Sequence, residues 1–218
     1  MNQRTRRIQW SLWAGLTLFG AILFLAFLPA QLRLRVFLGK PLPVYGSVAN
    51  FTLTNQLRQP VTLADLRGHV WVADVIFTRC AGPCLKMSRQ MKELQESLPA
   101  NSNARLVTLT TDPDYDTSSI LKTYAEQRFG ADPRRWWFLT GPKKEIRDLE
   151  ITSLKLTALE KKPDERESPV DLFIHSTQFL LIDKNAQWRG AFETTGEGID
   201  PPKVQAQLRA AIRRLERE

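Results

Sequence analysis

The chain is short of the residues that staple small folds and hold common metals. Of its 218 residues, two are cysteine and two are histidine. Two cysteines exclude a disulfide-dense secreted scaffold, and they confine any thiol chemistry to one pair, Cys80 and Cys84. No compact four-ligand cluster of the kind structural zinc asks for is visible. No internal repeat or low-complexity tract is present, and the length leaves room for one anchor and one compact domain. The formal net charge is +8. No aromatic-spaced basic motif or nucleic-acid signature accompanies it, so it reads as a basic, unspecialised surface and nucleic acid is not an expected partner.

Charge is absent altogether from residues 10–28, WSLWAGLTLFGAILFLAFL. As a helix this run is roughly 28 Å long, close to the ~30 Å hydrocarbon core of a bilayer. Trp10 and Trp13 stand at one end, where aromatic rings prefer the interface. A cleaved signal peptide fits less well, because the run is long and Leu28 stands where a small residue is needed. The expected organisation is a basic tail (1–9), a transmembrane anchor (10–28), a Pro-containing juxtamembrane linker (29–46) and a soluble domain (47–218). Arg4, Arg6 and Arg7 argue for an N-terminus inside, while Arg33, Arg35 and Lys40 weaken that bias. The balance places the domain outside the cytoplasm.

Within the domain, residues 51–54 and 61–63 predict short strands about a turn. Residues 70–77 are rich in β-branched and aromatic residues and predict a buried central strand, and 105–110 predicts a second. An amphipathic helix is expected over 85–98, with Leu85, Met91, Leu94 and Leu98 inward. Asp112 to Asp116 reads as a turn, with Thr117 able to cap a helix running to about residue 129. A short strand at 136–139, a helix from Pro142 to about 149, an exposed charged loop at 160–169, a hairpin over 178–192 and a C-terminal amphipathic helix complete the chain. Strands alternating with helices, then a hairpin and a helix, predict an α/β mixed sheet covered on both faces.

Cys80-Ala-Gly-Pro-Cys84 falls between the strongest strand and a helix. On a helix, residues four apart share a face with Cα atoms about 6 Å apart, inside the disulfide range of about 4.4–6.8 Å. Two sulfurs so placed can exchange disulfides, hold one soft metal ion, or both; a helix N-terminus further favours thiolate. Arg79 and Lys86 add positive charge nearby. His175 lies far downstream at the mouth of a predicted strand, and by itself a lone histidine is more often structural than a ligand. His69 has no soft partner beside it and reads as an ordinary surface residue.

Several blocks together resemble the Sco/SenC family: LADLRG at 63–68, FTRCAGPC at 77–84, TDPDYDT at 111–117, FLTG at 138–141 and HSTQFLLID at 175–183. They occur in family order over roughly residues 47–215. The resemblance implies a thioredoxin-like fold behind a single N-terminal anchor, facing the periplasm or the mitochondrial intermembrane space. It also implies a copper ion, as Cu(I), bound by Cys80, Cys84 and His175. The implied role is delivering copper to the copper-bearing subunit of cytochrome c oxidase, or another copper or thiol client, or reducing thiols there. Asp112 and Asp116 match the family's acidic pair, with turn formation and helix capping as the plainer roles. The chain departs from the family at Ala81 and Leu85, where proline is usual, and at Ile174, where aspartate is common.

Two thiolates and an imidazole suit three-coordinate Cu(I), and oxidising the pair to a disulfide would expel the ion. The competing reading is a membrane-anchored thiol–disulfide oxidoreductase that carries no copper. Disulfide exchange needs only the cysteines, so His175 separates the two.

Overall fold

The computed structural model describes Trp10, Trp13, residues 15–24 and residues 41–218. The chain divides into two units, Met1–Leu42 and Pro43–Glu218. In the first, residues 15–24 are helical and exposed. Among the described residues no helix is long and apolar enough to cross a membrane. The rest of the expected anchor, the basic tail and most of the linker lie outside the described residues.

The second unit is organised by β4 (Trp71–Ile76), every residue of which is buried. Parallel to it runs β5 (Arg105–Thr110), and parallel to that β6 (Trp136–Thr140). On the other side β9 (Gln178–Ile182) pairs antiparallel with β4, and β10 (Gln187–Glu193) with β9. With β1 (Gly46–Ser47), β2 (Thr52–Asn55) and β3 (Pro60–Thr62) the sheet has eight strands in the order β1-β10-β9-β4-β5-β6-β2-β3. The mixed sheet with helices on both faces is the architecture expected from the sequence. A separate two-stranded sheet, β7 (Ala158–Glu160) with β8 (Phe173–His175), flanks the charged loop, and the sequence predicts neither strand.

The helices are α1 (Leu63–Leu66), α2 (Pro83–Ser97), α3 (Ser118–Lys122), α4 (Lys143–Arg147) and α5 (Pro201–Arg217). α3 and α4 each continue into a wider π-helical turn, Thr123–Arg128 and Asp148–Ser153. Alternation along β4 sorts its side chains onto two faces. Trp71, Ala73 and Val75 join Leu63, Leu66, Ile146 and Leu149 in one core. Val72, Asp74 and Ile76 therefore face the opposite layer. There α2 packs with α5, and Gln205 Nε2 donates to the Gln90 carbonyl at 2.9 Å. α2 begins two residues earlier than expected, at Pro83, whose missing N–H costs nothing in a first turn. Its inward face includes Cys84, Met87, Met91 and Leu94, while Leu85 is only half-buried.

The chain enters the second unit along β10. Tyr45 stacks at 5.4 Å on Trp188, and Arg189 Nε donates to the Pro43 carbonyl at 3.2 Å. The register with β9 shifts in a bulge between Trp188 and Gly190. The buried Arg189 guanidinium pairs with the buried Asp183 carboxylate at 2.7 Å and with Glu218 at 3.0 Å. Arg189→Ala leaves a buried carboxylate unpaired and should cost about 3–5 kcal/mol. Urea unfolding measures it, and an unchanged midpoint would show the pair to be dispensable.

Candidate metal centre

Two turns leave the same end of the sheet. β4 and β5 run parallel in register, with Ile76 opposite Thr110, and Thr111 N–H donates to the Ile76 carbonyl at 2.9 Å. The turn after β4 carries the first cysteine and closes where Cys80 N–H donates to the Phe77 carbonyl at 3.1 Å. The turn after β5 carries the two aspartates. Asp116 is fully buried and accepts from Thr78 N–H at 3.0 Å, from the Thr78 hydroxyl, and from the Thr110 hydroxyl at 2.5 Å. Burial still raises its pKa above the usual carboxylate value. Asp112 pairs at 2.5 Å with Arg79, whose guanidinium lies 4.2 Å from the Tyr115 ring centroid. Both aspartates thus grip residues 78–79 and set where Cys80 stands. Neither joins the cluster of metal-binding side chains found among the described residues.

Cys84 lies in the first turn of α2, fully buried, while Cys80 is 8% exposed in the turn before it. The spacing of four is therefore not spent on a helix face. The bend at Ala81 and Gly82 folds Cys80 back toward the helix start instead. Both cysteines are free thiols.

His175 ends β8. The Phe173 ring packs 5.1 Å from Phe77, and the His175 ring meets Phe77 edge-on at 5.8 Å. This places Nε2 3.1 Å from Cys84 Sγ. Nδ1 lies 3.0 Å from the Ser176 carbonyl, which can only accept, so Nδ1 carries a hydrogen and Nε2 is the ring atom turned to the sulfurs. The donor atoms of Cys80, Cys84 and His175 all lie within 4.8 Å of one another. A metal with sulfur at about 2.3 Å and nitrogen at about 2.0–2.1 Å spaces planar donors roughly 3.5–4 Å apart. Shifts of less than an ångström would accommodate it.

The thiols are electrostatically unlike. The hydrogen bond with Cys84, helped by one with His175, outweighs burial and pulls Cys80 down to about 4. Burial, then the neighbouring Cys80, pushes Cys84 far up. The outer sulfur is therefore the one more readily ionised, and the inner one the more firmly protonated.

Asp74 is a feature the sequence reading passed over. It lies on the α2 face of β4, fully buried, and burial raises its pKa to about 7, against the Thr108 hydrogen bond and the charge of His175. The Trp136 indole donates to the Thr108 hydroxyl at 2.8 Å, and that hydroxyl donates to Asp74 Oδ1 at 2.6 Å. Oδ2 has no partner. An ionised Asp74 also adds to the upward shift of Cys84. The signal was present in the sequence: one carboxylate inside the otherwise apolar WVADVI. His69 is half-buried, its Nδ1 2.9 Å from the Asn103 carbonyl, and takes no part in the site.

A mixed α/β sheet of thioredoxin-like kind, with a dithiol loop and a facing histidine, defines a class in which thiol chemistry and soft-metal binding share one site. The SCO1/SenC family model matches residues 43–213. The chain belongs to that family. It is 36% identical over 142 residues to a Bacillus subtilis protein described as a SCO1 protein homolog, covering 64% of this chain and 70% of that one. The solved structure of BsSco matches with a TM-score of 0.62 at 30% identity, over 80% of this chain and 96% of that one. It is described as having a disulfide switch and as a member of the Sco family of cytochrome c oxidase assembly proteins. Bradyrhizobium japonicum ScoI with copper bound matches with a TM-score of 0.62 at 20% identity, over 76% of this chain and 99% of that one, and shows the common fold.

Alkylation of the reduced, metal-free protein should modify Cys80 first. Its rate should rise with pH about a midpoint near 4, because thiolate is the reactive form and exists above the pKa, whereas an ordinary cysteine titrates near about 8.5. A midpoint at 8 or above would contradict the assigned asymmetry.

Proposed function

We propose that the chain is a membrane-anchored metallochaperone that carries Cu(I) on Cys80, Cys84 and His175 and passes it to a copper-binding client outside the cytoplasm. The observation that carries this reading is the convergence of two sulfurs and an imidazole nitrogen within 4.8 Å. Soft thiolates select Cu(I), and three donors satisfy it where zinc asks for four. The family includes BsSco, described among cytochrome c oxidase assembly proteins, and ScoI, solved with copper bound. The copper-bearing subunit of that oxidase is accordingly the proposed client. The ion is cargo. Its release is favoured when the cysteines reduce a disulfide of the client by thiol–disulfide exchange, their own sulfurs pairing while the client's become thiols, since a disulfide sulfur is a far poorer ligand than a thiolate.

The anchored location rests on the sequence. Residues 10–28 are uncharged, six of the 31 lysines and arginines fall in residues 1–40, and no aspartate or glutamate does. Most of the +8 net charge therefore flanks the apolar run, where anionic headgroups would attract it. The second reading, a copper-free thiol–disulfide oxidoreductase, draws on the asymmetry of the thiols. A thiolate at Cys80 beside a protonated Cys84 is the pairing that disulfide exchange uses.

Anaerobic Cu(I) titration of the reduced protein separates the readings. One ion should bind. Cys80→Ser or Cys84→Ser should nearly abolish binding, because hydroxyl is a hard, neutral ligand. His175→Ala should weaken it by roughly 10-fold or more while leaving disulfide formation intact. Equal affinity for wild type and His175→Ala would transfer the assignment to the oxidoreductase. Recovery of the chain in the soluble fraction after cell lysis would remove the anchor.

A further inference from the structure

The small sheet that brings His175 to the site has one edge to spare. In β7–β8 the paired residues are Ala158 with His175, Leu159 with Ile174 and Glu160 with Phe173. Main-chain bonds run from Ser176 N–H to the Thr157 carbonyl at 2.9 Å and from Lys161 N–H to the Leu172 carbonyl at 2.8 Å. Antiparallel ladders alternate bonded and non-bonded pairs, so Ile174 bonds to β7 while Phe173 and His175 turn their N–H and C=O groups outward. Among the described residues nothing accepts from or donates to those four groups. β8 carries no lysine or proline of the kind that blunts a free edge.

That edge borders a cavity. About 370 Å³ lies in an open cleft between β8 and the cysteine loop, with Cys80, Ala81, Gly82 and Pro83 on the far wall. All three residues of β8 line it, with Lys161 from just past the end of β7 and Ser168, Val170 and Asp171 from the segment before β8. Cys80 and His175 are reached from this cavity, whereas Cys84 is closed off beneath them. Its rim is apolar, with Ile174 52% and Val170 40% exposed. Apart from the site's own Cys80 and His175, its lysine and aspartate, Lys161 and Asp171, neutralise each other at 2.6 Å. A groove with apolar walls, free main-chain donors and acceptors, and no charge beyond the Cys80 sulfur recognises backbone in extended form.

We infer that this groove receives an extended, uncharged client segment carrying a soft ligand side chain, which pairs with the outer edge of β8 as a third strand beside Cys80. The inference rests on the reading of the site as one that exchanges ligands with a client. Pairing at Phe173 and His175 supplies up to four main-chain hydrogen bonds and holds the segment in register. Side chains of the added strand then alternate between solvent and the metal site. Every second residue of the segment faces Cys80 and His175, so a ligand there is delivered without a large motion of this chain. Specificity arises from the spacing of the ligand along an apolar strand, and charge steering plays little part within the groove.

A tethered peptide tests this with the full chain carrying Cys84→Ser. The probe is a blocked nonapeptide of alternating valine and threonine with a central cysteine activated as its 2-thiopyridyl disulfide. The Cys80 thiolate attacks the peptide sulfur, pyridine-2-thione leaves, and the peptide is held by a disulfide at high effective concentration. Hydrogen exchange at the Phe173 and His175 amides should then slow at least tenfold relative to the same protein capped with free cysteine. Two twins N-methylated on alternate amides should differ: the twin whose methyls face β8 loses the protection and the other keeps it. No slowing at either amide, or equal protection from both twins, would overturn the added strand; Cys84→Ala repeats the test should serine disturb the helix start. Cu(I) titration of the wild type keeps the outcomes apart. Copper binding without amide protection removes the strand alone, and protection without copper binding removes the copper reading alone.

Discussion

The site depends on one packing contact, the Phe173 ring against Phe77 at 5.1 Å. Phe77 is the first residue beyond β4, and Phe173 opens β8. Their contact docks the small sheet on the cysteine loop, and two residues later His175 reaches Cys84 at 3.1 Å. A histidine 91 residues from its sulfur is placed by hydrophobic burial, which has no direction of its own. Direction comes from the strand, whose alternation puts Phe173 and His175 on the same side. The Nδ1 contact with the Ser176 carbonyl then fixes the face the ring presents.

The other half of the site is held by carboxylates. Asp116 ties down Thr78, and Asp112 ties down Arg79. A buried carboxylate is costly unless several donors satisfy it, and the two threonine hydroxyls and one amide around Asp116 do so. The acidic pair therefore sets the position of Cys80 from the neighbouring strand end. Asp74 sits on the layer that also contains Cys84, and its charge state is coupled to both Cys84 and His175. The proton balance of the whole group can shift when a cation enters.

How much of this the sequence disclosed follows from how each element is made. β5 after Arg105 is a run of β-branched and aliphatic residues, and its bounds are legible to the residue. α2 was placed late because proline reads as a loop residue, although at a first helical position its lost N–H is free. β7 and β8 escaped because each has three residues, beside the charged segment KKPDERESP, and only pairing with each other makes them strands. The cysteine pair was plain from its position between strand and helix. His175 was not: no local pattern distinguishes it from a structural histidine, and the resemblance to Sco/SenC proteins supplied it. The Asp116 cradle was hidden because its partners, Thr78 and Thr110, lie on two different strand ends.

The central claim is that the fold assembles a two-sulfur, one-nitrogen site. X-ray absorption at the copper edge of the Cu(I)-loaded protein tests it most directly. Two sulfur scatterers at about 2.3 Å and one nitrogen at about 2.0 Å are expected, with the nitrogen lost in His175→Ala. A spectrum of two sulfurs alone, unchanged by that substitution, would contradict the account.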